Sequence, residues 1–182
     1  MTINRIQEIA KENLTPQQTK VFEDIVARRG RLLGPYKIWI HSPRLAEGME
    51  TVGTFLNKQG SLSEKEVEIG VLLIADHWDA DYVRQAHITL GRKAGLADRE
   101  IGDILAGKDP KFADPHENAV YRFAKSLAGG GKMMDDEFNA VEKVLGREGV
   151  AEVLVLLGYY TSVALGMKVH QVPVGTPDPL KL

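Results

Sequence analysis

Apolar residues along this 182-residue chain recur mostly at the spacing of helices. Thr15 is followed by a proline and, three positions after the threonine, by Gln18, a combination typical of a helix N-terminus. Val21 and Ile25 then lie on one face of the same helix, since they are four positions apart. Gly30 marks its predicted end. The first third of the chain therefore opens with an amphipathic helix.

The same pattern continues to near the C-terminus. Ser42 with the following proline predicts the start of a second helix, which reaches about Gly60. Ser63 with Glu66 forms another capping box and opens an apolar helix that ends near Asp76. Further helices are predicted over residues 80–94, 98–106, 115–128, 135–145 and 148–169. The segment RGRLLGPYKIWIHSP, residues 29–43, is predicted as a loop, with YKIWI as a short strand candidate.

Seven or so helices joined by short loops predict an all-α fold, organised as one domain over residues 1–182. The last helix, which contains EVLVLLGYYTSVALGM, is apolar nearly all round. Such a helix lies either at the centre of a core or at a subunit interface, and its sequence leaves both open.

Composition and charge narrow the function classes. The net charge is -2 and no basic cluster occurs, so nothing favours a nucleic-acid or membrane-surface partner. No apolar run approaches the length of a membrane span, and the start MTINRIQEIAKEN lacks a signal-peptide core, so we expect a cytoplasmic protein. The chain has no cysteine, which excludes disulfides, thiolate nucleophiles and thiolate metal ligands.

Two polar residues interrupt apolar helical stripes. Glu68 is the one charge on the stripe of the helix ending near Asp76, and His87 is the one polar member of the stripe on the next helix. If these helices form a hairpin, the carboxylate and the imidazole can meet and act as a general acid/base pair. Alternatively, Glu68 caps a helix or pairs with an arginine, and His87 is an ordinary core histidine. Spacing alone favours this structural role.

Four stretches together give the chain a family resemblance. In order they are RGRLLGPYKIWIHSP, HWDADYVRQAH, DPHENAVYRFAKSL and LLGYYTSVALGMKVHQVP. The chain resembles the carboxymuconolactone decarboxylase family, which shares an all-helical fold with the alkylhydroperoxidase D-like proteins. The resemblance implies that fold, and it implies a homo-oligomer, either a trimer or a hexamer.

The peroxidase branch of this group carries a glutamate, a CxxC pair and a histidine. On that pattern Glu68 and His87 occupy the positions of the proton-relay residues, whereas Ala80 and Val83 stand where the two thiols belong. Thiol peroxidase chemistry needs a thiolate that can form a sulfenate or a disulfide. We therefore expect no peroxidase activity of the alkylhydroperoxidase type.

The decarboxylase branch has a string similar to A-E-Y-E-W-x-x-H. Here it is ADYVRQAH, so Val83 and Arg84 replace a Glu-Trp pair. The resemblance implies a cofactor-free acid/base enzyme, a decarboxylase, isomerase or hydrolase, that acts on a small lactone or carboxylic acid. His87, backed by Glu68, would be the proton donor. A diverged, non-catalytic ligand-binding member is the alternative.

Other residues are candidates for substrate binding. Arg84, Arg31 and His77 could each hold an anion, although Arg84 is also compatible with a solvated outer face. His41 and Tyr36 could line the pocket, or serve as a loop contact and a core residue respectively. The acids and histidines between residues 76 and 87 lack an HExxH-like spacing, so neither a metal nor an organic cofactor is expected.

Overall fold

Helices account for the regular structure of the chain. The computed structural model describes residues 5, 7–30, 32, 34–130 and 133–174, and within them a 3-10 turn at Lys11–Asn13 precedes the α-helices. The helices are α1 (Pro16–Arg29), α2 (Gly34–Trp39), α3 (Pro43–Lys58), α4 (Glu64–His77), α5 (Asp81–Lys93), α6 (Asp98–Leu105), α7 (Pro115–Ala128) and α8 (Asp135–Val169). No strand occurs in those residues, so the all-α prediction is confirmed.

Both predicted capping boxes are present. The Thr15 hydroxyl accepts a hydrogen bond from the backbone N–H of Gln18, and the Gln18 side chain accepts one from the backbone N–H of Thr15. Ser63 and Glu66 make the same reciprocal pair at the start of α4. Gly30 ends α1 in the left-handed region, with a φ of 76° that glycine adopts without steric cost.

The segment predicted as a loop contains α2, so that prediction and the short strand candidate are wrong. Tyr36, Trp39 and Ile40 are buried, and they lie three and four positions apart on one helical face. A single strand here would leave its backbone groups unpaired, because the described chain offers no partner strand. The helix satisfies those groups internally and still buries the aromatic residues.

Two helix boundaries have unusual local structure. At the start of α5 the N-cap is Ala80, and no side chain caps the helix. Asp79 takes a positive φ of 48° in the turn between α4 and α5. Near the C-terminus, the two predicted helices form one run that breaks at Gly146, where φ is 67° and ψ is 175°.

The core surrounds α4, in which every residue from Glu66 to Ala75 is buried. This helix packs against α5, α6, α7 and α8. Since α4 is enclosed on several sides, a charged side chain in its middle must find a partner inside the protein.

The long apolar helix α8 serves the core and also reaches the surface. Its length and composition alone would allow it to cross a membrane, but 56% of its most apolar window is buried inside the described chain. Such burial is what a core helix of a soluble fold shows. The other face leaves Leu154, Val155 and Leu165 between 37% and 49% exposed. The structure is therefore compatible with α8 as a core helix and with α8 as part of a subunit interface.

Candidate active site

The α4–α5 hairpin brings Glu68 and His87 into contact. Nδ1 of His87 lies 2.8 Å from Oε2 of Glu68, and the two side chains are only 12% and 8% exposed. A carboxylate oxygen accepts hydrogen bonds, so Nδ1 donates to Glu68 and Nε2 is the ring nitrogen left for another partner. The contact that the two interrupted stripes allowed is therefore present, in a geometry that suits an oriented acid/base group.

His87 faces a cavity of about 590 Å³ between α5, α8 and the N-terminal helices. Its walls are mainly aromatic and aliphatic, with few polar groups, as is usual for small-molecule sites. Within the described part of the chain, the lining residues are Arg29, Pro35, Tyr36, Asn57, Tyr82, Val83, Ala86, His87, Thr89, Leu90, Tyr159, Tyr160 and Val163.

Tyrosines form a continuous wall that starts at His87. The ring of Tyr160 meets the imidazole edge to face with centroids 5.1 Å apart, and Tyr159 meets Tyr160 in the same way at 5.2 Å. The hydroxyls of Tyr159 and Tyr36 are 3.3 Å apart. Burial raises the pKa of all three phenols, so they stay protonated and can donate hydrogen bonds at neutral pH.

Arg29 lies at the other end of this wall. Its guanidinium stacks over the Tyr36 ring at 5.3 Å, its Nε donates to Glu50, and its Nη2 donates to Thr54 at 3.2 Å. Burial would lower the pKa of Arg29, but Tyr36 and Glu50 beside it raise that pKa. Burial would raise the pKa of Glu50, but hydrogen bonds from Tyr36, Thr54 and Arg29 hold it below its ordinary value. Both members of this ion pair are therefore charged.

Of the substrate-binding candidates, the structure places Tyr36 in the cavity wall. His41 is exposed, and its Nε2 lies 2.9 Å from the carbonyl oxygen of Gln7. His77 is also exposed and packs against the ring of Trp78. Neither histidine lines the cavity, and Arg31 lies outside the residues that the structure describes.

Arg84 belongs to a cluster of acids at the α4–α5 corner rather than to the cavity wall. It pairs with Asp81 and with Asp79 at 3.1 Å, and it lies 3.7 Å from Asp76. These carboxylates already compete for the guanidinium, so the geometry gives no support to its predicted role as an anion-binding residue.

Several cavity residues escaped the sequence interpretation, among them Arg29, Tyr159 and Tyr160. Arg29 ends α1 beside Arg28, where basic residues are common because they favour the C-terminal end of the helix dipole. Tyr159 and Tyr160 stand inside the GYY string that was quoted only for its resemblance. Their polar hydroxyls on an otherwise apolar helix were the available signal.

Two further observations bear on the chemistry. Ala80 and Val83 are both buried, and Val83 lines the cavity beside His87, at the position where the resemblance would put a peroxidase thiol. Across the described ranges, no group of three or more acidic or histidine side chains is arranged to hold a metal ion.

Comparison with known proteins supports the fold. Neither a protein-family model nor a curated protein sequence matches the chain. Among solved structures, a Cys-to-Ala variant of the debrominase Bmp8 in complex with 2,3,4-tribromopyrrole is similar with a TM-score of 0.71 and 12% identity, over 94% of this chain and 91% of that one. Bmp8 without ligand gives a TM-score of 0.70 at the same identity, over 94% and 92%.

A second neighbour has a different name. It is a protein of unknown function from Agrobacterium tumefaciens whose name links it to the antioxidant defence protein AhpD. The TM-score is 0.62 and the identity 14%, over 76% of this chain and 96% of that one. At these identities the matches establish the fold and no activity. The chain thus shares the all-helical fold of these proteins.

Proposed function

We propose that this protein is a cofactor-free acid/base enzyme of the carboxymuconolactone decarboxylase type, acting on a small lactone or carboxylic acid. The observation that carries the proposal is the Glu68–His87 pair at a partly open cavity with aromatic walls. A buried carboxylate that orients an imidazole next to a ligand-sized cavity is the arrangement that general acid/base catalysis requires.

The walls of the cavity suit a small planar ring. Tyr36, Tyr159 and Tyr160 offer aromatic faces, and Val83 and Val163 close the cavity with aliphatic surface. The fold neighbour Bmp8 has been captured with 2,3,4-tribromopyrrole, a ring of this size. Size and flatness are all that we take from that complex, because this chain has no cysteine with which to form thiol intermediates.

The proposed step is proton delivery to carbon. When carbon dioxide leaves a carbon conjugated to a lactone carbonyl, negative charge collects on the enolate oxygen. The electron pair of the broken carbon–carbon bond passes through the shifted double bond into the enolate. Protonated His87 then gives the proton of Nε2 to the enolate carbon next to the carbonyl, while the Glu68 carboxylate stabilises the charged ring before transfer. The hydroxyl of Tyr160, which donates to Oδ1 of Asn57 at 3.3 Å without substrate, would donate to the enolate oxygen in place of that contact. Isomerisation or hydrolysis of a lactone would use the same groups.

Assembly and location complete the proposal. Leu154, Val155 and Leu165 form an exposed apolar face on α8, which supports association with further copies of the chain as a trimer or hexamer. Cytoplasmic residence remains the expectation from composition, with no nucleic-acid or membrane partner.

Turnover measurements under anaerobic conditions test the enzyme proposal. A panel of carboxymuconolactone and related lactones is incubated with the wild type and with His87→Gln, and we expect the substitution to lower turnover by about 10²–10⁴-fold. His116→Gln is the matched control, since His116 is 59% exposed at the start of α7 and should leave turnover unchanged.

Two results would contradict the proposal. Tight binding of a ring compound without turnover of any lactone would favour the non-catalytic, ligand-binding alternative. Peroxide consumption driven by a thiol reductant would revive the peroxidase alternative, against which the absence of cysteine argues.

A further inference from the structure

The cavity is electrostatically asymmetric. In the described chain, Arg29 is the only lysine or arginine among its lining residues, and no aspartate or glutamate lines it. His87 and Arg29 are joined by the wall of Tyr160, Tyr159 and Tyr36. A ligand lying along this wall would therefore meet a proton donor at one end and a permanent cation at the other.

Two residues outside the cavity wall fix the position of the Arg29 guanidinium. Glu50, whose side chain is 3% exposed, and Thr54 contact the guanidinium through Nε and Nη2, and neither residue lines the cavity. Thr54 also donates to Oε1 of Glu50 at 2.8 Å, which fixes the orientation of the carboxylate. A guanidinium fixed on one edge loses little further freedom when its remaining edge binds an anion.

We propose that Arg29 is the anion-binding residue of this cavity and that it binds the carboxylate of ring compounds. The carboxylate of the ligand lies at Arg29, and the ring lies along the tyrosine wall with its reacting carbon toward His87. Arg29 and Glu50 together carry no net charge, so the ligand carboxylate shares the guanidinium with Glu50 and accepts from N–H groups that Glu50 and Thr54 do not engage. The orientation toward His87 rests on the proposed function, whereas the binding of a carboxylate does not.

Binding of a charged ligand and its neutral isostere tests this inference without any need for turnover. The probes are 2-furoate and 2-furamide, which share a flat five-membered ring and differ in charge, titrated into the protein and followed by NMR. We expect the wild type to bind the acid about ten- to a hundredfold more tightly than the amide, since a charge-assisted hydrogen bond replaces a neutral one.

Substitutions at and near Arg29 test whether this residue causes the preference for the acid over the amide. Replacing Arg29 alone would leave the buried Glu50 carboxylate without its partner, so the main variant is the double substitution Arg29→Gln with Glu50→Gln. It should weaken binding of 2-furoate by about tenfold or more and change 2-furamide little. Glu50→Gln alone removes the competing carboxylate and should strengthen binding of the acid. Arg28→Gln, on the exposed neighbour, should change neither ligand.

Arg29→Lys provides a second test that does not depend on correct folding of the double variant. It keeps the positive charge beside Glu50 but loses the planar fork, so binding of the acid should weaken several-fold. Equal affinity of the wild type for acid and amide would overturn the inference, as would unchanged binding of 2-furoate by the double variant or by Arg29→Lys. Preserved discrimination between acid and amide together with failed turnover would contradict only the proposed function.

Discussion

Glu68 and Glu152 are equally buried glutamates that differ in the kind of hydrogen-bond partner each one has. Each is 6% exposed, one on α4 and the other on α8, and these two helices pack against each other. Glu152 accepts hydrogen bonds from the backbone N–H of Ser61, at 2.8 Å, from its hydroxyl, at 2.9 Å, and from the N–H of Leu62, at 3.3 Å. Glu68 accepts one from the imidazole of His87.

The difference lies in what the partner can do. Backbone amides and a serine hydroxyl keep their protons near neutral pH. The contacts of Glu152 therefore hold the loop between α3 and α4 against α8, which is a structural role. An imidazole gains and loses a proton in that range, and this one also lines a cavity. Burial of a carboxylate alone therefore does not mark a candidate site, whereas a titratable partner that faces a cavity makes Glu68 the candidate for acid/base chemistry.

Removing the structural glutamate should have the largest effect on stability. Glu152→Ala strips the acceptor from three donors and leaves a void near Gly60, so we expect the free energy of unfolding to fall by about 2–4 kcal/mol. Urea titration followed by circular dichroism measures this loss. Glu148→Ala, one turn earlier on α8 and exposed, is the control, and equal stability of the two variants would show that the contacts of Glu152 do not stabilise the loop.

Glu68→Gln should have a small effect on stability and a large effect on turnover. The amide can still hydrogen-bond to His87, so the free energy of unfolding should fall by only about 1 kcal/mol, while turnover of an active lactone falls about ten- to a hundredfold because the imidazolium loses its carboxylate. Parallel assays of unfolding and turnover separate these effects. Glu64→Gln, exposed one turn earlier on α4, should change neither, and a Glu68→Gln enzyme with full turnover would remove Glu68 from the mechanism.

The third buried glutamate, Glu50, should show a smaller effect that depends on pH. Its pKa is lowered from 4.5 in the folded protein, because hydrogen bonds from Tyr36, Thr54 and Arg29 outweigh the cost of burial. A depressed folded pKa contributes stability above the unfolded value, and that contribution disappears as pH falls through the folded value.

The wild type should therefore be more stable than Glu50→Gln at neutral pH, and its advantage should shrink below pH 4.5. Thermal unfolding of both proteins across this range measures the trend, with exposed Glu47→Gln as the control. An advantage that stays constant down to pH 3 would show that Glu50 is not charged in the folded state.

Most of the helices, but not every contact, could be predicted from the sequence. The capping boxes at Thr15 and Ser63 depend on residues three apart, so the local sequence contains all the information that they need. The contact between Glu68 and His87 was one of two alternatives that the local pattern left open, because a short turn joins two helices whose stripes can share one core. The loop assigned to residues 29–43 failed because the burial of Tyr36 and Trp39, and hence α2, depends on distant helices.

By itself, the sequence determined an all-helical chain, a glutamate and a histidine that can meet on adjacent helices, and the absence of cysteine thiols. The tertiary structure decided where the positive charge of the cavity comes from. Arg84 is three residues from His87 and on nearly the same helical face, yet its side chain pairs with Asp79 and Asp81 and does not line the cavity. Arg29 is 58 positions before His87 in the sequence, and the packing of α1, α2, α3 and α8 brings it to the same cavity. Helical periodicity fixes which residues share a face, whereas only the packing of whole helices decides which faces enclose a site.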